Sequence, residues 1–241
     1  MKKFLLGSVA LVALAAVGSA TAADMPVKAP APVVYNWSGC YVGGNVGYGR
    51  GRNQASAPTL PGVDLGSNTG TGIAGGSQIG CDYQFGSWVF GARGMLDWTN
   101  VKGSHRPVGP GFTANETLEF KTQWFGTLSG RIGYAVQPQW LAYLTGGAAW
   151  VRNSYTDADP TFATPYVGQA NATRNGWVIG GGLEYKFQRN WSLFAEYNYI
   201  ELGGRDVTLF YNTNAVVNPF TYHFKQNLQT ILVGLNYRFG G

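Results

Sequence analysis

From about residue 37 to the C-terminus, apolar and polar residues alternate with a period of two, the pattern of half-buried strands. In "WVFGARGMLDWTN" (Trp88–Asn100), Trp88, Phe90, Ala92, Gly94, Leu96 and Trp98 share one face, opposite Val89, Gly91, Arg93, Met95, Asp97 and Thr99. Leu118–Tyr134 sets Phe120, Thr122, Trp124 and Leu128 against Glu119, Lys121, Gln123, Phe125 and Arg131. Trp177–Phe187 sets Trp177, Ile179, Leu183 and Tyr185 against Glu184 and Lys186, and Trp191–Leu202 sets Trp191, Leu193 and Tyr197 against Ser192 and Glu196. Trp37–Gly49, Ile73–Phe85, Trp140–Val151 and Phe224–Phe239 complete eight segments, of which Trp140–Val151 is apolar on both faces. No stretch after the N-terminus shows the 3.6-residue period of a helix.

The connections alternate in length. "GS" (Gly86-Ser87), "AVQPQ" and "QRN" are short, whereas Arg50–Gly72, Val101–Thr117, Arg152–Gly176 and Gly203–His223 read as long loops holding most of the prolines. Short turns at one end and long loops at the other predict an all-β, eight-stranded antiparallel up-and-down transmembrane β-barrel with both termini on the periplasmic side.

Alternation alone does not say which face points out, because a soluble ligand-binding barrel has the same pattern turned inside out. Aromatic residues cluster at strand ends, as membrane-interface girdles require. An eight-stranded barrel is only wide enough for side chains, so Trp and Tyr pointing inward from nearly every strand would overfill it. The polar face is also too rich in glycine and too poor in charge for a solvated surface, with 36 glycines and 12% charged residues against roughly 25% in ordinary soluble domains. The apolar face therefore meets lipid, and glycines such as those of "WSGCYVGGNVGYG" leave room inside for long neighbouring side chains.

The N-terminus supplies the export route. Lys2 and Lys3, an apolar run from Phe4 to Val17 and Ala20-Thr21-Ala22 read as a signal peptide over residues 1–22, cleaved after about Ala22. Residues 23–36 are a Pro-rich periplasmic tail, and 37–241 the barrel. Loss of the two lysines lowers the formal charge from +5 to +3, which gives no argument for nucleic acid.

The charges on the inward face are Arg93, Asp97, Glu119, Lys121, Arg131, Glu184, Lys186, Glu196 and Arg238. Buried charges must be paired, so this set is read as ion pairs plugging the lumen, with a polar pore as the other reading. Cys40 and Cys81 fall on the outward face near the periplasmic ends of neighbouring strands, where a disulfide is favoured over two free thiols. His105 and His223 lack metal-ligand spacing, Ser104-His105 has no acid partner for catalysis, and "DAD" (Asp157, Asp159) reads as a solvated loop. No catalytic residue, metal or cofactor is expected. Gly234, Tyr237 and Phe239 follow a G-x-x-aromatic-x-aromatic pattern similar to the C-terminal assembly signal of bacterial outer-membrane barrels, although Val233 replaces the usual polar residue and Gly240-Gly241 follow the phenylalanine.

"NWSGCYVGGNVGYG", "GGSQIGCDYQFGSWVFG", "KTQWFGTLSGRIGYA", "NGWVIGGGLEYKF", "NWSLFAEYNYIELG" and "VGLNYRFGG" resemble the strand blocks of the alphaproteobacterial outer-membrane β-barrel proteins often labelled porin family or surface antigens. The resemblance spans nearly the whole mature chain. It implies residence in the outer membrane of a Gram-negative bacterium, contact with outer-membrane lipids, lipopolysaccharide and the barrel-assembly machinery, and, through the loops, haem or host surface molecules as ligands of some members. The expected role is a non-enzymatic barrel supporting envelope integrity and displaying surface loops. The alternatives are a low-conductance porin and a haem- or host-binding receptor.

Overall fold

The computed structural model describes residues 35–56, 64–106, 115–159, 166–213 and 216–239; the expected signal peptide and nearly all of the Pro-rich tail lie outside them. The strands are β1 Gly39–Ser56, β2 Asp64–Phe85, β3 Trp88–Thr99, β4 Lys102–His105, β5 Thr117–Gln137, β6 Trp140–Asp159, β7 Tyr166–Lys186, β8 Trp191–Thr213 and β9 Val216–Arg238. Every pairing is antiparallel, and β1 pairs with both β2 and β9, so the sheet closes on itself. β4 continues β3 beyond Asn100-Val101 and fills the same place between β2 and β5, so nine strands form eight staves. The fold is the eight-stranded up-and-down barrel read from the sequence.

Its staves are longer than expected. β2 has 22 residues and β8 and β9 have 23 each, whereas crossing a bilayer takes about 9–11. Much of what reads as long loops is therefore continued ladder: Arg50–Ser56 belongs to β1, Arg152–Asp159 to β6 and Gly203–Thr213 to β8. The barrel wall projects well beyond the membrane at the end opposite the short turns. The turn Gly86-Ser87 is two residues long, with Gly86 at φ +60°.

Exposure follows the alternation. Val42, Val46, Tyr48, Phe90, Trp98, Leu128, Ile179, Leu193 and Ile231 are exposed, while Tyr41, Val89, Phe125, Ile200 and Leu232 are buried inside. Register resolves the ambiguous β6: Leu141, Tyr143, Ala149 and Val151 point inward, Leu144 and Trp150 outward. Near the short turns, Trp88 packs on Tyr134, Trp140 on Tyr185 and Trp191 on Tyr237; nearer the other end, Trp98 lies opposite Trp124 and Trp177 packs on Tyr199. These two levels are the interfacial girdles of a membrane-embedded wall.

One expectation of facing is overturned. Glu119 and Lys121 are exposed on the outer surface, not in the lumen. The β5–β6 register slips between Thr122 and Trp124, a bulge that reverses the face of everything before it. Leu118, Phe120 and Thr122 consequently point in, as do Phe125, Thr127, Ser129 and Arg131 after the bulge.

Cys40 and Cys81 are directly opposed across β1 and β2 and are joined by a disulfide. The bridge closes a sequence separation of 41 residues, so the Cys40→Ser/Cys81→Ser double variant should unfold in urea with a stability lower by ~3 kcal/mol. The denaturation midpoint with and without reductant measures this; an unchanged midpoint would mean that the ladder alone fixes the β1–β2 pair.

Candidate functional site

The lumen is where the sequence puts its chemistry, and it is filled from one end to the other. At the periplasmic end, Gly39 sits at φ +123°, a conformation that favours glycine, and turns the chain so that Trp37 lies under the barrel, wholly buried. The Trp37 backbone N–H donates to Gln84 Oε1 at 2.7 Å and its carbonyl accepts from Arg238 at 2.6 Å. Lys186 Nζ stands 4.8 Å from the Trp37 ring centroid and donates to the Asn36 carbonyl, while Tyr35 accepts from Gln139 at 2.7 Å. Trp37 thus caps the lumen rather than opening the first strand.

Above this cap lies a four-residue ionic cluster. Arg131 pairs with Asp82 at 3.1 Å and with Glu184, and its guanidinium lies 3.8 Å from the Tyr143 ring centroid. Arg238 reaches the same Asp82 at 2.9 Å and lies 4.8 Å from the Tyr41 ring centroid. Glu184 also accepts from Ser192 and from Asn236 at 2.9 Å. All of these groups are buried, so each charge depends on its partners for the solvation it has lost.

One level further out, Arg93 holds Glu196 with two parallel bonds of 2.6 and 2.7 Å. Tyr143 and Asn198 each donate to Glu196 at 2.8 Å, and Gln78 links Arg93 to Asn236. A bidentate pair is geometrically specific as well as strong. The inner glycines make the space: a Cβ on Gly43 would overlap Asn236 Oδ1, and one on Gly76 would stand 2.8 Å from Asp97 Oδ1.

From below the outer girdle outward the lumen turns apolar. Met95, Val101, Phe120, Phe125, Val151, Ile200, Leu202, Leu228 and Leu232 pack into one core that closes the outer half of the barrel. Set into it, Arg174 donates to the carbonyls of Gly203 at 2.6 Å and Phe224 at 3.0 Å, and Asn153 bonds Gln226 at 2.7 Å.

Of the charges expected inside, Arg93, Arg131, Glu184, Glu196 and Arg238 meet in ion pairs, Lys186 meets a carbonyl and an aromatic ring, and Glu119 and Lys121 are outside. Asp97 is buried but forms no ion pair among the described residues; the side-chain amide of Asn45 is its polar neighbour. Asp82 and Arg174 were missed. Asp82 follows outward-facing Cys81, so alternation places it inside; Arg174 sits in a stretch read as loop. Asp157, also read as loop, is inside β6 and accepts from Tyr222 at 2.8 Å. Ser104 and His105 are adjacent in β4 and so point to opposite faces, and His105 Nδ1 lies 3.0 Å from Asn68 Nδ2. No group of three or more metal-ligating side chains gathers among the described residues. On β9, Tyr237 and Phe239 are on the outer wall with ring centroids 5.1 Å apart, and Gly234 is on the inward face against the Phe194 ring.

A profile described as "Outer membrane protein beta-barrel domain" matches residues 9–239. The chain belongs to this outer-membrane β-barrel family. A 31 kDa outer-membrane immunogenic protein of Brucella melitensis is 34% identical over 254 residues, spanning 99% of this chain and 100% of the relative. A 22 kDa outer membrane protein of Rhizobium leguminosarum is 29% identical, over 76% of this chain and 72% of the relative. Among solved structures, the outer membrane protein OprG of Pseudomonas aeruginosa superposes with a TM-score of 0.56 at 14% identity, covering 87% of this chain and 100% of that one. These matches place this outer-membrane β-barrel in the alphaproteobacterial lineage of the family and in the bacterial outer membrane.

Proposed function

We propose that this barrel is a non-enzymatic structural protein of the outer membrane, closed through its lumen, that supports envelope integrity and displays the outer ends of its staves at the cell surface. What carries the reading is the filled interior: Trp37 below, the Arg131–Asp82–Glu184–Arg238 and Arg93–Glu196 clusters in the middle and the apolar core above. The immunogenic naming of the Brucella relative fits a wall that projects beyond the membrane. The Gly234–Phe239 segment, aromatic on its outer face, is the part offered to the assembly machinery.

In a strain lacking the protein, sensitivity to sodium dodecyl sulfate should rise at least fourfold and be restored by a variant whose connections beyond the membrane are shortened. Rescue by the full-length chain alone would assign the function to the outer ribbons and make the protein a receptor. A second reading, a low-conductance porin for small solutes, draws on one observation. Thr127, Ser129, Thr145 and Thr230 contribute buried polar atoms without partners among the described residues, positions that ordered water would satisfy.

A further inference from the structure

The displaced residues of β5 lead to a feature of the outer wall. Because the bulge turns Lys121 outward, it stands directly opposite Lys102 of β4. Lys102 in turn is opposite Thr71 of β2, and Thr71 opposite Arg50 of β1, so Arg50, Lys102 and Lys121 form a row in register across four neighbouring staves. Arg52 lies one inward–outward repeat further out, and Arg152 lies beside Trp124 on β6. All five side chains are exposed and none is in an ion pair among the described residues; the neighbouring carboxylate, Glu119, is two positions beyond Lys121. Like charges directly opposed on one face of a sheet destabilise it, so Lys102 and Lys121 call for an anion from outside the chain.

The height of the row limits what that anion is. On β5 the outward positions run, toward the membrane, Lys121, Trp124, Gly126; on β4 and β3 they run Lys102, Asn100, Trp98, Leu96. The cations therefore stand just beyond the outer aromatic girdle, where the headgroups of the outer leaflet lie. Directly below the girdle the wall is hollowed by a groove of about 550 Å³, lined by Val42, Ile79, Gly94, Leu96, Gly126 and Trp150. Two of its glycines, Gly94 and Gly126, are not needed for packing within the barrel. A Cβ on Gly94 would meet nothing within 4 Å, and one on Gly126 only ordinary contacts from 3.5 Å, unlike the crowded glycines inside.

We propose that this face of the wall, β1 to β6, is a binding site for a phosphorylated glycolipid of the outer leaflet: phosphates on the Arg50–Lys102–Lys121 row and an acyl chain in the Gly94–Gly126 groove. The site uses the outer surface, so it is independent of whether the lumen conducts.

The test is binding of bisphosphorylated lipid A, its dephosphorylated form and inorganic phosphate to the refolded full mature chain in mild detergent, read by native mass spectrometry. The bisphosphorylated lipid should bind at least tenfold tighter than the dephosphorylated one. Lys102→Glu/Lys121→Glu, and more weakly Lys102→Gln/Lys121→Gln, should abolish that preference; Gly126→Leu should weaken both lipids at least threefold. All variants are scored on protein that keeps heat-modifiable gel mobility. Equal binding of the phosphorylated lipid by native and charge-altered chains would overturn the proposal, as would displacement of the lipid by millimolar inorganic phosphate, which would make the row a simple anion site.

Discussion

Replacing Arg131 with alanine should lower the stability of the folded barrel in phospholipid vesicles by ~4 kcal/mol, the largest loss expected from any single side chain in the lumen. Arg131 answers both Asp82 and Glu184 and lies against the Tyr143 ring, so its removal leaves two buried carboxylates sharing what Arg238 can offer. Truncating one partner of a buried pair typically costs 3–5 kcal/mol because the other charge stays desolvated. Urea titration of refolded protein, followed by loss of heat-modifiable migration, gives the number. Lys121→Ala is the control: it is exposed and unpaired, and should change stability by no more than about 0.5 kcal/mol. Equal effects of the two substitutions would mean that the internal charges are hydrated and do not depend on each other.

The second large effect concerns glycine. Gly47 of β1 and Gly94 of β3 are both strand glycines, yet alanine should act in opposite directions at the two. A Cβ at Gly47 would overlap the Ile231 carbonyl oxygen and stand 2.8 Å from Leu232 Cα, so Gly47→Ala must move backbone in the β1–β9 seam. Overpacking of this kind costs about 1–3 kcal/mol, and the seam that closes the barrel has little freedom to relax. At Gly94 the new methyl enters open space on the lipid side, and relief of the glycine penalty should stabilise the strand by about 0.5–1 kcal/mol. Folding yield and urea midpoint of the two variants decide the matter; a neutral Gly47→Ala would mean that the close packing along the seam is not required.

The sequence showed the fold because a membrane wall makes alternation nearly unavoidable. Within the membrane each residue of β3, β7 and β8 meets either lipid or a crowded lumen, so Trp88–Trp98 and Trp191–Tyr199 carry their orientation openly. Cys40 and Cys81 were legible for the same reason, sharing a face near the same end of adjacent staves. What stayed hidden depends on register rather than pattern. The slip beside Gln123 has no mark in composition, and it moved Glu119 and Lys121 from the lumen to the outer wall. The outer halves of the staves were obscured by proline, asparagine and glycine in the connections, although Val207-x-Leu209 and Tyr222-x-Phe224 already alternate there. Trp37 reads as the start of a strand, and only the turn at Gly39 carries it under the barrel. The pairing of Arg93 with Glu196 joins residues 103 apart on staves that are not neighbours, a meeting that requires the closed ring.

A closed lumen is measured most directly by single-channel recording of the refolded mature chain in a planar bilayer, beside its Arg93→Ala/Glu196→Ala variant. The expected result is no resolvable current from the native chain, and none from the variant, whose lumen is still closed by Trp37 below and the apolar core above. A steady, ion-selective current from the native chain would contradict the plugged barrel and make this protein a pore.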